Sequence, residues 1–235
     1  GSTFKIVTVS AALDSGVASP ENTFSCKGYY EVGGWRIRCH KTTGHGSGFS
    51  LAYGLQMSCN PCMIALSERI GASRFYDYVK KFGYFEKTGI DLPGEATPVK
   101  DVTYHSLENM GISQVSSSSF GQTFQVSAIQ MITAVSAVAN GGKLMEPYVV
   151  AKQIDHEGNT VYEKTPTVKR QVVSKQTSAT IRTMMESVVS KSTTKNMYVA
   201  GYKTGGKTGS SGNSLQLSGL SSRLHWPEQV SSMPA

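Results

Sequence analysis

Ser2-Thr3-Phe4-Lys5, running on into Ile6-Val7-Thr8-Val9-Ser10-Ala11-Ala12-Leu13, is the stretch on which the reading of this chain turns. Ser2 and Lys5 stand three positions apart, a spacing that puts both side chains on one face of a helix, one turn from each other. The residues that follow are apolar on nearly every side, which predicts a helix running through a core. A serine hydroxyl is a poor nucleophile until a base takes its proton. An ammonium carried into such a core loses hydration, its pKa falls, and near neutral pH it can serve as that base.

Two later stretches supply what the first lacks. In Ser58-Cys59-Asn60, Ser58 can relay a proton between Lys5 and a leaving amine, and Asn60 offers an amide to hold a substrate carbonyl or amide. In Lys207-Thr208-Gly209, a cation and a hydroxyl donor are the groups that grip a carboxylate. Gly209 allows a ligand to approach the backbone closely, so that substrate lies along it as an added strand. The backbone N–H groups of Ser2 and Ser210 then form an oxyanion hole. Each piece alone is weak, and Lys203-Thr204-Gly205 is a second copy of the last one. Their order along one chain is what carries weight.

The flanking residues extend the pattern. Asn60-Pro61, Lys87-Thr88-Gly89-Ile90-Asp91-Leu92-Pro93-Gly94-Glu95, Phe120-Gly121-Gln122, Ala139-Asn140-Gly141-Gly142 and Gly205-Gly206-Lys207-Thr208-Gly209 follow in sequence. Over residues 1–212 the chain resembles the transpeptidase domain of a class B penicillin-binding protein of the cell-division or spore-cortex type. The resemblance implies an α+β fold of the penicillin-binding protein/serine β-lactamase-like kind, here mostly the helical lobe plus the Lys-Thr-Gly strand. It implies a D,D-transpeptidase that cross-links peptidoglycan stem peptides, is acylated by β-lactams, and needs no cofactor for catalysis. Ser2 is then the acylated nucleophile, Lys5 its base, Ser58 and Asn60 the second motif, and Lys207, Thr208 and Gly209 the third. The second Lys-Thr-Gly copy is preferred because the family places Gly-Gly directly before it, which leaves Lys203-Thr204-Gly205 on the approach to that strand. A membrane anchor and pedestal domain upstream, a glycosyltransferase partner and a place on the extracytoplasmic face of the membrane are implied for the parent protein.

Two departures set expectations for the end of the chain. Ser210-Ser211 replaces the usual Thr-Ala, a mild change. From about Gly212 the text through Ala235 no longer resembles the family, and no apolar run there is long enough for the expected return strands. Residues 213–235 are therefore read as a tail, disordered or out of frame. The family builds a five-stranded sheet, of which at most the middle strand is expected here, and an isolated strand leaves its backbone groups unpaired. A start at Gly1-Ser2 without Met reads as a fragment and sets an ammonium at the positive end of the catalytic helix. A weakly folded or inactive chain is the resulting expectation.

Elsewhere a mostly helical lobe is predicted. Asn60-Pro61 opens a helix through about Ile70, Ser73 caps one over 74–82, and Ser127 caps the longest helix, 128–139, ended by Gly141-Gly142. Residues 149–154 and 160–163 read as a β-hairpin, and Ser174 opens a helix through about Val189. The serine-rich stretch 113–119 reads as a loop beside the active site, and 190–196 as a loop leading to the last motif. No internal repeat of 20–50 residues is visible.

The net charge is +7, from 23 basic and 16 acidic residues. The basic residues are scattered singly without aromatic interleaving, which argues against a nucleic-acid partner and for a solvated surface. No run of 18 apolar residues predicts a membrane span. The four cysteines leave two readings open. Cys26 can pair with Cys39 as a disulfide in an oxidising compartment, and Cys59 with Cys62 less comfortably. Alternatively Cys26, Cys39, His45 and either His40 or Asp14 hold a structural zinc.

Two other functions compete with acyl transfer. A β-lactamase needs a further base for deacylating water, and Glu95 and Glu108 are the nearest acids, neither in a Glu-x-x-Leu-Asn box. A β-lactam sensor or scaffold would be acylated without passing on a stem peptide.

Overall fold

A computed structural model describes residues 1–191, 199 and 201–209, together with the backbone of 224–225. The sequence dictates its centre. After a 3-10 turn over Ser2–Phe4, helix α1 (Lys5–Asp14) buries every residue from Lys5 to Ala12. With apolar or small side chains on all faces, α1 has no side left for water. The chain then forms β1 (Thr23–Cys26), β2 (Tyr29–Val32), β3 (Trp35–Arg38) and β4 (Gly46–Ser50), with β1 antiparallel to β4 and β2 to β3. Residues 23–50, the segment around Cys26, Cys39 and His45, are thus two small ladders. The exposed and half-exposed positions of β3 and β4 gave no alternating signal.

Helices α2 (Leu51–Gln56), α3 (Asn60–Ile70) and α4 (Ala72–Lys81) follow, and α5 (Ile112–Ser119), α6 (Ala128–Ala139) and α7 (Lys175–Ser190) complete the shell. Helices α2, α3, α4, α6 and α7 all pack against α1. Between α6 and α7 lie β5 (Lys143–Met145), β6 (Lys152–Ile154), β7 (Thr160–Glu163) and β8 (Val168–Gln171), paired antiparallel as β5 with β8 and β6 with β7. Phe4 is wholly buried among Phe75, Tyr84 and Phe124, at centroid distances of 6.4, 5.3 and 4.6 Å. Aromatic edges on faces lock the residue between Thr3 and Lys5 into one position.

Several expectations need correction. Residues 113–119 are not a loop but most of α5. Its serines are tolerated because Ser117 and Ser119 donate back to the carbonyls of Ser113 and Ser116, at 2.8 and 2.6 Å. Small side chains also let α5 lie close to α3. The longest described helix is α7, not α6, although Ser127 does cap α6 in a reciprocal capping box with Gln130. Helix α4 begins at Ala72 with Gly71 as cap, so Ser73 lies inside it. At the chain's end, β9 (Thr204–Gly205) pairs antiparallel with β10 (Leu224–His225). The tail therefore returns one short strand that its sequence did not announce, because two residues carry no periodicity. That pairing falls on the first Lys-Thr-Gly copy, and Lys207–Gly209 continues beyond it outside any assigned strand. Residues 192–196 and the remainder of the tail lie outside the described residues.

Asp14 closes the far end of α1. Its carboxylate accepts from Ser174 N at 2.7 Å, Thr177 Oγ1 at 3.0 Å and Tyr78 OH at 2.8 Å, which joins α1 to the start of α7 and to α4. Burial raises its pKa, but these donors outweigh burial and hold it below the usual carboxylate range. Asp14 is thus a structural tie, and its place as a metal ligand falls away. Asp14→Ala is expected to destabilise the fold by about 1–3 kcal/mol in urea unfolding, because donors are left unpaired. A carboxylate with a depressed folded pKa contributes fully above its unfolded pKa and loses the contribution as pH falls through the folded one. The gap between wild type and variant should therefore close in acid.

Candidate active site

Three segments converge on the start of α1. Lys5 is 0 % exposed, and its Nζ donates to Ser58 O at 2.6 Å, Ser58 Oγ at 3.0 Å and Asn60 Oδ1 at 2.7 Å. The pairing of first and second motifs expected from sequence is thus made by the lysine. Ser58 adopts φ +52°, a left-handed conformation uncommon for a residue with a Cβ. This turns its carbonyl and hydroxyl together towards Lys5, and Cys59 then caps α3. Asn60 is the first helical residue of α3, and its Nδ2 donates to Arg38 O at 3.1 Å. One of its two amide hydrogens is left for a ligand.

The third motif arrives from the opposite side. A Cβ on Gly209 would stand 2.5 Å from Thr3 Oγ1 and 3.0 Å from Thr3 N. Only a residue without a side chain fits against the turn that carries Ser2. Lys207 is 2 % exposed and donates to Thr208 O at 3.0 Å. Gly1, Ser2, His40, Ser58, Asn60, Phe120, Gln122, Thr208 and Gly209 line a cleft of about 520 Å³. Ser2, Ser58, Asn60, Thr208 and Gly209 are therefore brought together, whereas Lys207 is buried off that lining and Ser210 lies outside the described residues.

Phe120, Gln122 and His40 are wall residues that side-chain chemistry alone did not single out. The Phe120-Gly121-Gln122 stretch carried the signal. Gly121, at φ +88°, faces Gly1, where a Cβ would lie 2.1 Å from the carbonyl oxygen. Thr8 Oγ1 donates to Ser119 O at 2.7 Å and fixes this segment to α1.

Electrostatics follow from burial. The Lys5 pKa is pushed down to about 7, first by desolvation and then by the Lys207 cation, against opposing pulls from Cys39, Cys59 and Cys62. Burial alone lowers Lys207 to about 8. An amine near 7 is substantially unprotonated at neutral pH and able to accept a proton.

Beside the cleft, all four cysteines are buried and unbridged. Ligand atoms of Cys26, Cys39, His45 and Cys59 lie within 4.8 Å of one another. The fourth member is thus Cys59, from inside the second motif, and neither His40 nor Asp14. Cys59 was passed over because Ser-Cys-Asn reads as a catalytic triplet, while its thiol points away from the cleft lining. The Cys39 thiol is pulled down, chiefly by the hydrogen bond from Cys59, whose own pKa is raised.

The family model for the penicillin-binding protein transpeptidase domain matches residues 1–216, and the chain belongs to that family. Stage V sporulation protein D of Bacillus subtilis is 44% identical over 211 residues, covering 89% of this chain and 32% of the relative. Among solved structures, penicillin-binding protein 3 of Mycobacterium tuberculosis complexed with aztreonam aligns at TM-score 0.79 and 29% identity, over 89% of this chain and 47% of that one. The D,D-transpeptidase domain of a peptidoglycan glycosyltransferase from Eggerthella lenta aligns at 0.79 and 27% identity, over 91% and 54%. The fold is that of the penicillin-binding transpeptidases. The chain spans about a third of the length of the curated relative and about half of the solved ones.

If Lys207 helps to hold Lys5 neutral, Lys207→Met should raise the Lys5 pKa above about 7. Titration of the lysine side chains by heteronuclear NMR reads this directly; an unchanged midpoint would show that desolvation acts alone.

Proposed function

We propose that the protein is a D,D-transpeptidase domain that cross-links peptidoglycan stem peptides through an acyl-enzyme on Ser2. The observation that carries this reading is the buried Lys5 amine, held by Ser58 and Asn60, which line a cleft whose wall includes Ser2. Neutral Lys5 accepts the Ser2 proton as the hydroxyl oxygen attacks the carbonyl of the penultimate D-residue. The proton passes through Ser58 Oγ to the departing amine of the terminal D-residue, whose carboxylate rests on Thr208 near the Lys207 charge. Asn60 donates its remaining amide hydrogen to the peptide, and the Ser2 and Ser210 N–H groups stabilise the oxyanion. An amine from a second stem peptide then attacks the ester, giving its proton back through the same path.

β-Lactams take the same route and stop at the acyl-enzyme, a reading supported by the aztreonam complex of the mycobacterial relative. Hydrolysis is less well supported. Glu95 accepts from Thr88 and Gly89, and Glu108 pairs with Lys100 at the surface, so both nearby acids are engaged elsewhere. We further infer residues 1–212 as the transpeptidase part, within the 1–216 that the family model matches. No cofactor enters the reaction. The parent protein is placed by this reading on the extracytoplasmic face of the membrane, beside a glycosyltransferase of division or sporulation. Among the described residues no helix is long and apolar enough to cross a membrane.

A fluorescent penicillin should label the chain stoichiometrically at Ser2, and Ser2→Ala should abolish labelling. Lys5→Ala should slow acylation on the order of 10²–10⁴-fold. The acylation rate should rise with pH through about 7, as Lys5 loses its proton. A flat profile, or an adduct elsewhere by intact-mass and peptide analysis, would sink the mechanism. Lys207→Ala should slow carboxylate-bearing β-lactams most; an equal loss with an ester lacking the carboxylate would remove Lys207 from recognition.

A further inference from the structure

We propose that Cys26, Cys39, His45 and Cys59 form a structural zinc site that anchors the Ser58-Cys59-Asn60 segment to the small ladders beside the cleft. The donor chemistry fits first. Three thiols and one imidazole make a closed set of four, the composition of structural zinc centres, and soft sulfur ligands disfavour magnesium or calcium. Geometry fits next. Zn–S bonds of about 2.3 Å and Zn–N bonds of about 2.0 Å give a tetrahedral S···N edge of roughly 3.5 Å. Cys39 Sγ and His45 Nδ1 are 3.7 Å apart, and no pair among the four ligand atoms exceeds 4.8 Å.

Burial points the same way. Cys26 and Cys39 are 3 % exposed and Cys59 is 0 % exposed. His45 Nε2 is buried without a hydrogen-bond partner. Buried polar atoms are seldom left unpaired, and a ring turned to place either nitrogen on a metal leaves only one to satisfy.

The backbone around the cluster is built to close. His45 N donates to Cys26 O at 3.0 Å and Cys39 N to Gly28 O at 2.8 Å. At Gly28 a Cβ would stand 1.9 Å from Thr42 O, and at Gly44 2.1 Å from Cys26 O, both at positive φ. Two glycines at close backbone crossings bring the ends of β1, β3 and β4 together around one point. The fourth ligand comes from 14 residues beyond His45, at the cap of α3. On either side of it stand Ser58 in its left-handed conformation and Asn60, both bonded to Lys5. A metal on Cys59 Sγ pins this turn from the side away from substrate. Cys62, one turn along α3, sits against Gly54 instead and is outside the set. On binding, the Cys26, Cys39 and Cys59 thiols ligate as thiolates and give up their protons to solvent, and no oxidation state changes.

The test is independent of transpeptidase activity. The full 235-residue chain is purified under reductant without chelator and assayed for metal by mass spectrometry. One zinc per chain is expected, retained in Cys62→Ser and lost in Cys26→Ser and His45→Ala. Exchange with cobalt should give the sulfur-to-cobalt charge-transfer and intense d–d bands of a tetrahedral thiolate site, and chelation should lower Tm. Absence of zinc with an octahedral, weakly coloured cobalt spectrum would overturn the proposal. So would a Cys39–Cys59 or Cys26–Cys39 disulfide in the reduced preparation, or zinc retained in Cys26→Ser. Should the variants fail to fold, the cobalt spectrum of the wild-type chain decides by itself.

Discussion

A lysine with no solvent exposure has to be held by something, and in this protein the holding groups come from the Ser58-Cys59-Asn60 segment. Removing an ammonium from water costs several kcal/mol unless it is paired or neutralised. Among the described residues no carboxylate is bonded to Lys5; its partners there are two neutral side chains and a carbonyl from 58–60. Neutral acceptors satisfy its hydrogens without stabilising the positive charge as a carboxylate would, so the amine remains free to gain and lose a proton. Every other part of the site is arranged around this condition. Helix α1 must be enclosed by five others to bury the lysine, and the 58–60 turn must take an unusual backbone conformation to face it.

The same demand explains how neighbouring parts are used. Lys207 lies buried near enough for its charge to weigh on Lys5, so a residue suited to gripping an anion also helps to keep the base unprotonated. Asp14 secures the opposite end of the helix through three donors from α4 and from the start of α7. The buried helix α1 is thereby fixed at one end by a carboxylate and at the other by an amine.

Much of this was legible in residue order. The apolar run after Ser2-Thr3-Phe4-Lys5 gave α1, Ser127 and Ser174 gave the caps of α6 and α7, and Asn60-Pro61 gave the start of α3. Where the reading failed, the deciding energy was tertiary. Polar Ser113–Ser119 becomes helix because hydroxyls bond back within the turn and small side chains fit against α3, which no local propensity reports. The strands of 23–50 are only four or five residues long, and β3 and β4 are too exposed to alternate. At the site, side-chain identity located Ser2, Lys5, Ser58, Asn60, Thr208 and Gly209. It missed the wall contributed by His40, Phe120 and Gln122, which depends on how loops meet. Cys59 was hidden for a different reason: its neighbours carry the conspicuous chemistry, and only the fold reveals that its thiol faces the other way.

Gly209 stands against the Thr3 hydroxyl and the amides of Ser2 and Thr3, a contact that leaves no room for a side chain at residue 209. Whatever docks along residues 207–209 therefore leans directly on the turn that carries Ser2. The two segments meet without slack, and a change in one is felt by the other. Variation that alters which ligands are accepted has only the rim to work with, at His40, Phe120 and Gln122, where side chains can change size or polarity while the machinery behind them stays still.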